Sequence, residues 1–255
     1  MIANYHTHTP RCGHAQGSEE EYVRCAIEAG LHTLGFSDHT PYLFPDDYVP
    51  SFRMMPAELP GYVDAVLRMR KAYADQIRIH LGVEMEYYPK YFHDTVSFLR
   101  DNGIEYMILG QHFLYNEVEG IGSIGPTADP ARLRQYCDQA IAAMETGLFT
   151  YFAHPDLMLF VGDRELYRQE IRRLCQAANA CRIPLEINLL GLREGRHYPN
   201  PAFWDIAAEE GCTMILGRDA HSPQMLLDQK TEQMALELAQ TFGMTPIETI
   251  MPTHI

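Results

Sequence analysis

Tyr5-His6-Thr7-His8 closes the first apolar run of this chain, residues 2–8. In an extended strand residues i and i+2 point to one face, so His6 and His8 share a face with Cα atoms roughly 7 Å apart. Imidazole is the commonest metal ligand in proteins, and two such side chains on one face suit a single ion. The same spacing returns near the other end of the chain. Residues 217–221 read Gly-Arg-Asp-Ala-His, which sets Asp219 and His221 at i and i+2.

Between these two segments, short apolar runs alternate with helical patterns. The runs cover residues 2–8, 33–39, 77–87, 106–114, 149–154, 184–190 and 213–221. The first helix starts at Ser18, which forms a capping-box pattern with Glu21, and stops at Gly30. Others are expected over 56–75, 91–102, 129–147, 163–181, 201–210 and 231–242. Asp129 and Pro130 make a good N-cap and N1 pair. Behind them Leu133, Tyr136, Cys137, Ala140, Ile141 and Met144 form a stripe at helical spacing. Seven strand–helix units in 255 residues predict one α/β domain, residues 1–255, built on a parallel sheet. An open doubly wound sheet and a closed barrel both fit this pattern.

In βα barrels the chemistry sits at the C-terminal ends of the strands. Here those ends carry His6 and His8; Asp38 and His39; Glu84 and Glu86; His112; His154; Glu186, Asn188 and then Arg193; Asp219 and His221. Any one of them has an ordinary structural use, as a core histidine, a helix cap or an ion-pair partner. Ligand-type side chains at every strand end together mark a site. A carboxylate such as Glu84 has two oxygens and can bridge two ions.

Composition narrows the partners. With 20 Lys+Arg against 34 Asp+Glu the formal net charge is −14, which argues against a nucleic-acid or anionic-membrane surface. The apolar fraction of 46% is ample for a packed core. The most apolar stretch, residues 148–162, is interrupted by His154, Pro155 and Asp156, so no bilayer span is expected. The N-terminus lacks a secretory pattern, and the six cysteines show no CxxC pair. They read as reduced thiols of a cytoplasmic protein.

The order of these segments resembles the PHP family, named for polymerase and histidinol phosphatase. The resemblance is carried by residues 5–8 (YHTH) with His14, 35–40 (GFSDHT), 82–84 (GVE), 110–113 (GQHF), 153–156 (AHPD) and 217–221 (GRDAH). Residues 36–42 (FSDHTPY), 186–193 (EINLLGLR) and Tyr198-Pro199 look like the histidinol-phosphate phosphatase branch. Two departures, Gly110-Gln111 and Leu189-Leu190, fall where a leaving group would lie.

The resemblance implies a distorted TIM-like (β/α)7 barrel holding two to three divalent ions, Zn, Mn or Fe. It implies His6, His8, Glu84 and Asp219 at the first ion. Glu84, His112 and His154 would hold the second, and His14, His39 and His221 the third. The implied activity is a metal-dependent phosphomonoesterase that hydrolyses L-histidinol phosphate, in histidine biosynthesis, with a metal-activated hydroxide. Apart from the resemblance, Arg193 is the first candidate to clamp the phosphate, since it follows the sixth run and its planar fork matches phosphate oxygens; Arg53 and Arg196 are weaker candidates. Asp38 or His197 would assist the leaving alcohol, and Glu86 would recognise an amine.

Another small phosphate ester, a nucleotide or a sugar phosphate, is the alternative substrate. A non-catalytic metal-binding module is the alternative class. The amidohydrolase barrel also begins with HxH but commonly needs a lysine on its fourth strand, and residues 106–114 hold none. There is no Gly-x-Ser-x-Gly elbow for a serine hydrolase.

Overall fold

The computed structural model describes residues 1–45 and 48–255. Seven parallel strands make one sheet: β1 (Ala3–Asn4), β2 (Thr33–His39), β3 (Arg78–Met85), β4 (Tyr106–Leu109), β7 (Phe149–Phe152), β8 (Leu185–Asn188) and β9 (Met214–Gly217), paired in that order. The sheet curls until its ends meet. Thr7 and Ala220 form a parallel bridge, with His8 N–H donating to the Ala220 carbonyl (3.0 Å) and Ala220 N–H to that of His6 (3.2 Å). The result is a nearly closed, distorted TIM-like barrel, which decides against the open doubly wound sheet.

Helices cover the outside: α1 (Glu19–Glu28), α2 (Leu59–Ala72), α3 (Phe92–Asp101), α4 (Pro130–Glu145), α5 (Arg164–Cys181), α6 (Leu189–Glu194), α7 (Pro201–Glu209) and α8 (Gln229–Thr241). Local signals start several of them. Ser18 and Glu21 close a capping box on α1, and Asp129 and Asn200 cap α4 and α7 with Pro at the first turn. Among the described residues no helix is long and apolar enough to cross a membrane.

Four runs differ from the sequence expectation; in the first, β1 stops at Asn4 and His6 and His8 flank the isolated bridge at Thr7. Residues 106–114 split: β4 stops at Leu109, and Phe113–Leu114 (β5) pairs antiparallel with Ile121–Gly122 (β6). His112 therefore sits on a connection rather than a barrel strand. Residues 184–190 also split, because the Asn188 side chain accepts from Gly191 N–H and starts α6 there. At the last run, Asp219 lies past β9 with φ +48°, so the i, i+2 strand argument for Asp219 and His221 does not apply. Their side chains converge through the turn instead.

Period two sorts the strands into faces. Leu81, Val83 and Met85 of β3 point out into the main core under the helices, while Gly82 and Glu84 point in. The lower interior is filled by Ala3, Tyr5, Tyr106, Ile108, Tyr151, Ala153 and Ile215. Glycines make this crowding possible. A Cβ at Gly35 or Gly82 would overlap the Tyr106 ring, one at Gly110 the Glu84 carboxylate, and one at Gly217 the Glu186 carboxylate. The C-terminal tail seals the floor: Ile247 N–H donates to the Met214 carbonyl (2.8 Å) and the Tyr5 hydroxyl to that of Ile250 (2.9 Å). With the floor apolar and plugged, the polar residues at the upper end are the accessible ones.

Candidate metal centre

Seven imidazoles and two carboxylates gather above the tyrosine layer. Glu84, from the upper end of β3, is at their centre. Its Oε1 lies 2.8 Å from His154 Nε2 and 3.5 Å from His112 Nε2. Its Oε2 lies 3.1 Å from His39 Nδ1 and 3.6 Å from both His6 Nε2 and His8 Nε2. Asp219 Oδ1 stands 3.1 Å from His8 Nε2 and 3.4 Å from His6 Nε2. At the mouth, His14 Nε2 and His221 Nε2 are 2.9 Å apart.

The hydrogen bonds on the far side of each ring set its tautomer. His6 Nδ1 is 2.9 Å from Glu186 Oε2, and His112 Nδ1 is 2.8 Å from Glu86 Oε1. His14 Nδ1 and His221 Nδ1 face the carbonyls of Cys12 (2.9 Å) and Asp219 (3.0 Å). Each of those partners only accepts, so Nδ1 carries the proton, and in the neutral ring Nε2 turns a lone pair inward. The inward atoms are left without partners: His6 Nε2, His8 Nε2, His39 Nδ1, Glu84 Oε2 and Asp219 Oδ1 are buried and unbonded. Buried polar atoms are almost always satisfied, so a cluster of orphaned acceptors calls for cations.

Charge says the same. Asp38, Glu84, Glu86, Glu186 and Asp219 are all buried around the histidines. Burial opposes ionisation of Glu84, yet the neighbouring His112, His39 and His6 hold its carboxyl well below the usual range. Burial likewise opposes a charge on His6, and Asp219, Glu186 and Glu84 overcome it and raise the imidazole well above its ordinary value. Burial and the nearby His8 push His221 down to about 3. The donor set, imidazole nitrogen plus carboxylate oxygen, fits Zn, Mn or Fe. His6–His8–Asp219, His6–Glu84–His154 and His14–His39–His221 are each close enough to share an ion.

The nine residues expected as ligands from the sequence are brought together as side chains. Of the other named residues, only Arg196 lines the cavity; Glu86 and Asp38 stand behind His112 (2.8 Å) and His8 (3.5 Å). Arg193 is a correction: it lies 3.7 Å from Asp228 in a separate recess with Leu189, Arg218 and Thr231, because α6 turns it away from the barrel mouth. Arg53 and Glu86 are corrections too. Arg53 is buried against Glu117, Glu86 and the Thr40 carbonyl, and Glu86 is spent on Arg53 and His112, so neither lines the cavity. Asp38 accepts from Thr9 and from His39 N–H, on the outer face of β2, and His197 bonds the Leu157 carbonyl (2.8 Å). Neither of them lines the cavity.

The cavity above the cluster holds about 400 Å³. Phe52, Phe113, Ile124, Leu157, Leu190 and Met225 make its apolar wall, and Glu194, Arg196 and Tyr198 its polar rim. Arg196 is thus the one arginine of the three that stands on the wall. Its Nη1 is 2.5 Å from the Tyr198 hydroxyl, and its Nε is 2.8 Å from Glu194. Sequence reasoning missed Glu194, Phe52 and Glu117, which sit in segments with no periodic signal. It noted Glu186 and Asn188 at a strand end but gave them no role. The strand-end position and i, i+2 spacing of that pair were the available clue.

A family model described as PHP domain matches residues 4–189. A Deinococcus radiodurans protein named probable histidinol-phosphatase is 29% identical over 230 residues, covering 87% of each chain. A Schizosaccharomyces pombe protein of the same name is 27% identical over 259 residues, covering 89% of this chain and 82% of that one. Among solved structures, the histidinol phosphate phosphatase of Lactococcus lactis, complexed with Zn, L-histidinol and phosphate, superposes with a TM-score of 0.74. It is 19% identical and covers 98% of this chain and 96% of its own.

Proposed function

This chain belongs to the PHP domain family, and we propose that within it the chain is a metal-dependent phosphatase that hydrolyses L-histidinol phosphate to L-histidinol and phosphate. The observation that carries this reading is the set of orphaned imidazole and carboxylate atoms converging on Glu84 at the floor of the cavity. The names of the relatives and the zinc, histidinol and phosphate bound by the Lactococcus lactis enzyme support the same substrate.

His6, His8, Glu84 and Asp219 would hold one ion, Glu84, His112 and His154 a second, and His14, His39 and His221 a third. Bound divalent cations supply Lewis acidity for phosphoryl oxygens and lower the pKa of water. The protein's own part is to place these donors and to shape the cavity. Arg196 presents a planar guanidinium at the rim, matched to phosphate oxygens. Glu194 beside it presents a carboxylate for the ammonium group of an amino alcohol. The apolar wall takes the remainder of the leaving group. The six cysteines, four of them buried, are joined by no disulfide, which suits a cytoplasmic setting.

The test is phosphate release from a panel of monoesters by the zinc- or manganese-loaded protein. Histidinol phosphate should be the preferred substrate, and chelation or Glu84→Ala should abolish its turnover in a folded protein. Preference for a nucleotide or sugar phosphate would overturn the substrate, and full activity after chelation would overturn the metal chemistry.

A further inference from the structure

Arg53 is 4% exposed and has no contact with the cavity, yet it is built into the metal centre from behind. Its Nη2 is 2.9 Å from Glu86 Oε1, the same oxygen that receives His112 Nδ1–H at 2.8 Å. Its Nε and Nη2 both reach Glu117 Oε2, at 2.8 and 2.5 Å, and its Nη1 donates to the Thr40 carbonyl at 2.9 Å. One planar fork thus serves three acceptors. The guanidinium also lies over the Phe52 ring at 4.3 Å, and that ring meets His39 (5.0 Å) and His112 (5.9 Å) edge-on. Tyr48 donates to the other Glu117 oxygen at 2.9 Å.

The consequence for His112 is direct. That residue sits on the connection between β4 and β5, without a strand ladder to fix its ring. Its orientation depends on Glu86, and Glu86 is a buried carboxylate whose second oxygen has no partner. A carboxylate buried that way keeps its charge and position when a cation stands beside it, and Arg53 supplies that cation. Glu117 in turn pins Arg53 to the loop after β5, so the loop beside the cavity wall and the metal ligand are held by one residue.

We propose that Arg53 is a positioning residue for His112, acting through Glu86 and anchored by Glu117, and that it sets zinc affinity rather than binding phosphate. The inference rests on the metal reading of the site and not on the identity of the substrate.

The experiment measures zinc affinity of the full chain by competition with a chromophoric chelator, for wild type, Arg53→Met, Glu86→Gln, Glu117→Gln and the Arg53→Met/Glu86→Gln double variant. Arg53→Met and Glu86→Gln should each weaken the affected zinc site about 10- to 100-fold. The double variant should be no weaker than the worse single one, because both act through one contact. Glu117→Gln should weaken it in the same direction, and it carries the test should Arg53→Met fail to fold. At saturating zinc, the KM of Arg53→Met for a phosphate ester should stay within about twofold of wild type, since no substrate contact is lost. Unchanged zinc affinity, additive losses in the double variant, or a KM raised at saturating zinc would each overturn the proposal. A wild-type chain that binds no zinc would overturn the metal centre itself, which is a distinguishable failure.

Discussion

His14 Nε2 and His221 Nε2 face each other across 2.9 Å while both Nδ1 atoms point to backbone carbonyls. In the neutral rings this sets lone pair against lone pair, and a shared cation converts that repulsion into two bonds. His14→Ala should therefore lower the zinc content of the purified protein, measured by elemental analysis. His14 is exposed at the mouth and outside the core, so the thermal midpoint of the metal-free protein should stay within about 1–2 °C of wild type. Unaltered zinc content would sink the idea.

Gly110 should be intolerant of a single methyl group. A Cβ there overlaps Glu84 Oε1, and the carboxylate must swing away from His112 and His154. Gly110→Ala is expected to destabilise the fold by about 1–3 kcal/mol through overpacking. Its larger effect should be a drop of at least about 100-fold in kcat/KM, equivalent to roughly 3 kcal/mol. Steady-state kinetics beside a denaturation curve would show whether activity falls further than stability.

Asn188 has three tasks. Its Oδ1 caps α6 at Gly191 N–H (2.9 Å), and its Nδ2 lies 2.9 Å from Glu186 and 3.1 Å from Asp219. Losing the cap costs about 1 kcal/mol, and two buried carboxylate oxygens lose a donor. Asn188→Ala should lower unfolding free energy by about 2–3 kcal/mol. A loss under about 0.5 kcal/mol in urea titration would mean that water replaces the amide.

The Arg70–Glu105 pair should add to acid sensitivity. Burial favours the neutral form of Glu105, but hydrogen bonds from Arg70 and the Leu81 amide, with the Arg70 charge, hold its carboxyl below the ordinary 4.5. A carboxyl depressed in the folded state stabilises the fold above its unfolded pKa, and that contribution is lost as pH falls through the lower folded value. The window is thus the region below 4.5. The pair is partly solvated, so its worth is about 0.5 kcal/mol. Urea midpoints should fall less steeply with acid for Glu105→Gln than for wild type.

Much of the barrel and the metal centre was legible in the residues. Glu84, His39 and His154 stand where apolar runs end, and runs of four to eight residues at period two can be read locally. Legibility failed where a side chain's direction depended on a distant neighbour. Arg193 and Arg196 are three residues apart, yet one faces Asp228 and the other the cavity, because Asn188 starts a helix between β8 and Arg193. Arg53 and Glu86 read as substrate contacts, since nothing near either in the sequence announces that Glu117 and His112 will bury them.

By itself the sequence determined the donor atoms and their order: imidazoles and carboxylates at or just past the ends of the apolar runs, a pattern set by short-range spacing. The tertiary structure decided how those donors are held. Glycines 110 and 217 clear room for the Glu84 and Glu186 carboxylates of the neighbouring strands, and Glu86, Glu186 and two backbone carbonyls choose the tautomers that turn the lone pairs inward. Those contacts join residues far apart in the chain. Their geometry follows from closure of the barrel, which no local spacing encodes.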